Sequence, residues 1–177
     1  MGLQLAQALK ECAEPFCIQG MRERLPVPSK SGVLIGLGLG GFVDGIVLHQ
    51  IMQWHNMGSA VLPPMTMEAM RKNMVWDGQF HAATWLFTFI GVLWLWRDGY
   101  RQQPMPPLTA FLGQMLLGWG LFNLVEGVID HHLLEIHHVK DIPSHVPMHD
   151  WVFLAVGGVL FILLGWGMAR SGREAVR

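Results

Sequence analysis

Between Trp151 and Met168 the chain carries no charged residue, a length of apolar sequence that in a chain of 177 residues finds cover only in a lipid bilayer. Three further stretches approach it. Residues 32–52 are apolar except for Asp44, His49 and Gln50; residues 76–96 hold Asp77 and His81 near their start and stop at Arg97-Asp98-Gly99; residues 108–134 stay apolar as far as Asn123, Glu126, Asp130, His131 and His132. Each meets the ~20 residues that a helix needs to cross a membrane. Prolines 63 and 64, then 104, 106 and 107, then 143 and 147 fall between them, where helices end. The sequence predicts an all-α membrane protein with four transmembrane helices, preceded by a polar leader over 1–31, the membrane domain spanning 32–170 and a basic tail over 171–177.

Composition agrees: 51% of residues are hydrophobic and only 14% charged, too apolar for an ordinary soluble domain. The formal net charge of −1 offers no basic surface for nucleic acid. The leader, with Lys10, Glu11, Glu14, Arg22, Glu23, Arg24 and Lys30, lacks the uninterrupted apolar core of a secretory signal, so we expect it to be retained. Cys12 and Cys17 lie in it at a spacing that fits neither a redox nor a zinc motif, and they read as reduced thiols.

Lysine and arginine set the orientation. Nine of them fall in the leader, the second connection (Arg97, Arg101) and the tail (Arg170, Arg173, Arg177), against Arg71, Lys72 and Lys140 on the other side. Both termini are thus expected in the cytoplasm of a bacterial inner membrane, and all nine histidines (49, 55, 81, 131, 132, 137, 138, 145, 149) in or near its outer half. The expected environment is the lipid bilayer; a second copy of the chain and a respiratory-chain or metal-handling protein stay open as partners.

The chain also repeats itself. A shift of 82 lays Gly36 on Gly118, Gly38 on Gly120, Val43 on Val125, Asp44 on Glu126, Gly45 on Gly127, His49 on His131 and His55 on His137. A fainter match at 73 lays Asp77 on Asp150, Phe80 on Phe153, Ala82 on Ala155, Arg97 on Arg170 and Gly99 on Gly172. We read a duplicated helical hairpin forming a pseudo-twofold four-helix bundle, with its small residues bringing the repeated helices close.

A carboxylate within a span costs roughly 2.5 to 3.5 kcal/mol on insertion scales and needs a partner or water. Asp44 and Glu126 lie eight residues before their span ends, about 12 Å at 1.5 Å per residue. At 100° per residue Asp44, Leu48, Ile51 and His55 share a stripe, as do Asn123, Glu126, Asp130 and His137, while Asp77 and His81 share a face. The set Asp44, His49, His55, Asp77, His81, Glu126, Asp130, His131, His132 and His137 is therefore the candidate ligand shell of a transition metal, imidazole and carboxylate suiting copper, iron or zinc. Glu135 and His138 also show the Glu-x-x-His spacing of di-iron bundles, in one copy. Met52, Met57, Met65, Met67, Met70 and Met74 form a Met-rich outer segment, read as lying on the membrane with Cu(I) loading as the alternative. Trp76, Trp94, Trp96 and Trp151 are interfacial anchors, and His145 and His149 read as solvated, His149-Asp150 standing near enough to support the site.

The stretches DGIVLHQIMQWH (44–55), DGQFHAATW (77–85) and GWGLFNLVEGVIDHHLLEIHH (118–138) resemble the bacterial membrane family DUF2243 over about residues 32–170. The resemblance implies a small multi-pass membrane protein and supports these site residues by position. The leading reading is an integral membrane metalloprotein carrying redox or oxygen chemistry, or handling copper or zinc, with enzyme and carrier not separated; a haem-binding electron carrier, for which His49 and His131 would be axial ligands, and a cofactor-free structural or assembly subunit compete with it. The orientation is directly testable: in a Cys12→Ser, Cys17→Ser background, Ser144→Cys should react with a membrane-impermeant maleimide on intact cells and Gln103→Cys only after permeabilisation. The opposite labelling would invert the topology.

Overall fold

The computed structural model describes residues 30–174. These form four helices, and no strand occurs among the described residues. Helix α1 (Lys30–Ile51) is α-helical over Lys30–Val43 and opens into wider π turns over Asp44–Ile51. Helix α2 is Met67–Tyr100. Helix α3 (Leu108–Leu133) is α-helical to Glu126 and widens over Gly127–Leu133. Helix α4 runs through Pro147–Val152, the wide-turned Phe153–Leu160 and Phe161–Glu174.

Helices α1 and α3 pack together at the centre, with α2 against α1 and α4 against α3. Glycine sets the central seam: a Cβ on Gly36 would run into the Met115 carbonyl, and one on Gly118 into the Val33 carbonyl. Backbone thus meets backbone, the close approach that small residues permit in membranes. Gly113 and Gly120 bring α4 near as well, against the backbones of Gly165 and Gly158.

The distribution of polarity is inverted relative to a water-soluble bundle. Trp85, Leu86, Phe89, Leu93, Trp96, Leu163, Leu164 and Trp166 are exposed, while Asp44, His49, Asp77, Asn123, Glu126, His131 and Asp150 are buried. Only a lipid solvent stabilises that arrangement. Three helices are long and apolar enough to cross a membrane: Lys30–Ile51, Leu108–Leu133 and Pro147–Ser171. Helix α2 is long enough but less apolar, because His81, Thr84, Thr88 and four tryptophans interrupt it.

Helices α2 and α4 extend beyond the spans read from hydropathy. Instead of starting near 76, α2 begins at Met67, capped by Thr66, whose Oγ1 accepts from the Ala69 N–H at 3.2 Å. Its 34 residues reach about 51 Å at 1.5 Å each, well past the ~30 Å hydrocarbon core. Helix α4 begins at Pro147 rather than 151, with proline in the first turn, where a missing N–H costs nothing. The leader as far as residue 29, with Cys12 and Cys17, lies outside the described residues, and its last two residues, Lys30 and Ser31, open α1.

The glycine seam makes a prediction. Gly118→Val should destabilise the fold by about 1–3 kcal/mol through overpacking, whereas Gly78→Ala, where an added Cβ meets nothing within 4 Å, should be neutral or stabilising by up to about 1 kcal/mol. Thermal unfolding in mild detergent reads both.

Candidate metal centre

The wide turns at the ends of α1 and α3 create the site. In an i→i+5 helix, residues five apart lie nearly above one another, and Met52 N–H to Val47 O and Leu134 N–H to Ile129 O, each 2.8 Å, close such turns. Asp44 is consequently beneath His49, and Glu126 beneath His131. Each helix then ends in a left-handed residue, Gln53 (φ 52°) and Glu135 (φ 49°), rare for non-glycine residues. There the chain turns back and carries His55 and His137 under the loops; both are fully buried.

Seven of the ten residues singled out from sequence converge here. His49 lies between two carboxylates, Nδ1 3.0 Å from Asp77 Oδ1 and Nε2 3.1 Å from Asp44 Oδ2. His131 places Nε2 3.0 Å from Glu126 Oε1 and Nδ1 3.6 Å from Asp150 Oδ1. His137 brings Nε2 to 2.9 Å from the same Glu126 oxygen. The rings of His55 and His137 stack with centroids 4.7 Å apart. Asp77 is further held by the Met57 N–H at 2.7 Å and the Asn56 side-chain amide at 2.8 Å, and Asp150 by the Val139 N–H at 2.8 Å.

Hydrogen bonds to backbone fix two of the ring orientations. His55 Nδ1–H donates to Val139 O at 2.9 Å and His137 Nδ1–H to Met57 O at 3.2 Å. Each imidazole therefore turns Nε2 inward, where the neutral ring carries a lone pair. Burial pushes His55 down to about 4, with Asp44 opposing the fall and His137 and His49 adding to it, so it is held in the neutral, metal-binding form.

Apart from the His137 Nε2–Glu126 Oε1 bond, the inward atoms crowd without bonding to one another. Asp44 Oδ2, His49 Nε2, His55 Nε2, Glu126 Oε2 and both nitrogens of His131 are buried and lack a hydrogen-bonding partner among the described residues. Asp44 Oδ2 and His49 Nε2 are close enough for charge attraction at 3.1 Å, yet misaligned for a hydrogen bond. Two such ligand groups have all their atoms within 4.8 Å of one another: His49, His55, His137 and Glu126, His131, His137. His137 belongs to both.

The other three sequence candidates sit beside this convergence. His81 donates Nδ1–H to the Asp77 carbonyl of its own helix at 2.7 Å, its Nε2 lying against the Cα of Gly45. Asp130 is half-buried outside the ligand groups. His132 packs on Trp151 with centroids 4.8 Å apart. Helix α4 and its preceding loop add a group outside those ten: Asp150, expected only in a supporting place, is buried, His138 Nδ1 and His145 Nε2 reach its Oδ2 at 3.3 and 3.0 Å, and these three form a third ligand group. His145 is thus tied to Asp150 instead of standing in solvent alone. The alignment of Asp77 with Asp150 at a shift of 73 already carried that signal.

A family model described as a predicted membrane protein, DUF2243, matches residues 31–172. The chain belongs to the DUF2243 family. The match reaches all four helices and both histidine-bearing loops, so every residue of the candidate site falls inside it. No curated protein and no solved structure matches the chain.

In this DUF2243 chain Asp77 is the acceptor that ties α2 to the first loop. Asp77→Ala leaves His49, Asn56 and the Met57 N–H without it, and should cost about 3–5 kcal/mol, as for other broken buried ion pairs. The measurement is the unfolding midpoint in detergent beside Glu68→Ala, whose exposed pairing with Lys72 should contribute almost nothing.

Proposed function

We propose that this protein is an integral membrane metalloprotein whose buried His/Asp/Glu cluster holds one or two transition metal ions. The carrying observation is the set of inward nitrogen and oxygen atoms 3.0 to 3.1 Å apart that are not aligned to bond to each other. Ligands on a common ion with bonds of about 2.0–2.1 Å stand about 2.9–3.4 Å apart for angles between square and tetrahedral. A core built only to satisfy polar groups would align its donors with its acceptors. Charge argues the same way: Asp44, Asp77, Glu126 and Asp150 find histidines as their ionic partners, so the positive charge must come from protons or from a metal.

His49, His55 and His137 would hold one ion, leaving Glu126 and His131 for a second, or His137 would join Glu126 and His131 instead, because its Nε2 serves only one ion while Nδ1–H is given to Met57 O. Asp44 would stand beside the first set, and Asp77 and Asp150 would orient His49 and His131 from outside. Three imidazoles suit copper or zinc, and imidazole with carboxylate suits iron or zinc. Such an ion supplies Lewis acidity or, for copper and iron, electron transfer. Redox or oxygen chemistry and copper or zinc handling are the activities this site fits. Transport across the bilayer is disfavoured because the backbone contacts at Gly36 and Gly118 close the α1–α3 seam below the cluster. Haem is less suited, since His49 and His131 each face a carboxylate from both ring nitrogens.

The reading includes four spans, both termini cytoplasmic, the site toward the outer face and a duplicated hairpin with pseudo-twofold symmetry. Contacts that recur after the shifts of 82 and 73 support the duplication. His55 to Val139 O answers His137 to Met57 O. Met57 N–H to Asp77 answers Val139 N–H to Asp150. Gly45 against Phe80 and His81 answers Gly127 against Phe153 and Leu154.

Elemental analysis of tag-free protein in mild detergent tests the proposal. Wild type should carry about one to two equivalents of copper, iron or zinc, and Glu126→Gln and His55→Ala should lose at least half of it while eluting as folded protein. Metal-free wild type that also fails to take up any of the three ions on titration would leave a purely polar core as the better account, and a Soret band would point to haem instead.

A further inference from the structure

The two sides of the cluster differ at one carboxylate. Asp77 Oδ2 is closed by the side-chain amide of Asn56 at 2.8 Å. The position 82 residues after Asn56 is His138, and the carboxylate 73 after Asp77 is Asp150. At Asp150 Oδ2 no amide binds: His138 Nδ1 stands 3.3 Å away and His145 Nε2 3.0 Å, the two rings stacked with centroids 3.8 Å apart and 15° from parallel. His138 Nδ1 is buried and without a hydrogen-bonding partner, although a carboxylate oxygen lies beside it. His145 is exposed, so this group reaches solvent where the buried cluster does not.

We propose that His138, His145 and Asp150 form a second, solvent-facing site for a divalent transition cation such as Zn(II) or Cu(II), joined to the buried cluster through the Asp150 carboxylate. All three ligand atoms fall within 4.8 Å of one another. Two imidazoles and one carboxylate are a borderline-soft set that suits these ions, and the exposed side leaves a position for water. The surroundings hold the group ready. The Val139 N–H fixes Asp150 Oδ1 at 2.8 Å, which frees Oδ2 to face the imidazoles. Asp141 Oδ2 accepts from the His138 N–H at 3.2 Å and from the Ser59 hydroxyl, pinning the loop that carries His138. The same Asp150 Oδ1 lies 3.6 Å from His131 Nδ1, so one carboxylate touches both ligand groups by different oxygens. Had this carboxylate needed only a hydrogen bond, an amide at 138 would have sufficed, as it does at Asn56.

The site goes beyond the buried one, and zinc titration of detergent-solubilised, metal-stripped full-length protein separates them. His138→Asn combined with His145→Ala installs the Asn56 arrangement and removes the exposed ligand. Relative to wild type this variant should lose one equivalent of bound Zn(II) and keep the buried equivalents, while Glu126→Gln should do the reverse; His145→Ala alone should weaken the outer equivalent at least about 10-fold. Unchanged stoichiometry and affinity in the double variant would overturn the proposal, and so would loss of every equivalent from a double variant that still elutes as folded protein, because the two sites would then be one. Loss of an equivalent from the double variant with none lost in Glu126→Gln would uphold the outer site while removing the buried one.

Discussion

Four buried carboxylates with imidazoles as their ionic partners set the terms for the rest of the structure. Asp44, Asp77, Glu126 and Asp150 are each nearly inaccessible, inside a bundle whose outer surface is tryptophan, leucine and phenylalanine. A charge so placed is tolerated only where several groups turn toward it at once. The wide turns at the ends of α1 and α3, the left-handed residues Gln53 and Glu135 and the loops folded back over the helix ends all serve that convergence. The glycine seam belongs to the same solution, since it is the close approach of α1 and α3 that brings His55 and His137 into stacking contact.

Much of this was legible in the sequence because polar residues inside apolar stretches are conspicuous. Asp44, His49, Asp77, Glu126 and His131 stood out for that reason, and the shift of 82 paired Asp44 with Glu126, His49 with His131 and, just past the stretches, His55 with His137. Helical geometry was less accessible. At 100° per residue Asp44 groups with Leu48 and Ile51, and the pairing of Asp44 with His49 is hidden, because a wide turn has no composition of its own and changes which residues share a face. His81 shares a face with Asp77 in an α-helix, as expected, yet that same register gives its ring to the Asp77 carbonyl and to Gly45 rather than to the cluster.

Loops and helix starts explain the remaining differences. His138 and His145 lie in a polar, proline-containing segment where hydropathy gives no contrast, so only Asp150 on α4 reveals that they are gathered. Met67–Val75 is amphiphilic and charged, and the signal for the start of α2 was instead Thr66 followed by the helix formers Glu68, Ala69, Met70, Arg71 and Lys72. Met65, just before α2, and Met67, Met70 and Met74 on the end of α2 that projects past the length needed to cross the bilayer all remain exposed.

The hydrogen bonds from His55 to Val139 and from His137 to Met57 run in opposite directions between the two loops. In each case the carbonyl that selects the tautomer belongs to the other loop, so neither loop prepares its own imidazole. A shift of one loop by a single hydrogen-bond length would release the proton position of a ring on the opposite side, and with it the direction of that ring's lone pair. The two loops therefore act as mutual templates, and the chemical identity of the cluster is a property of their pairing rather than of either alone.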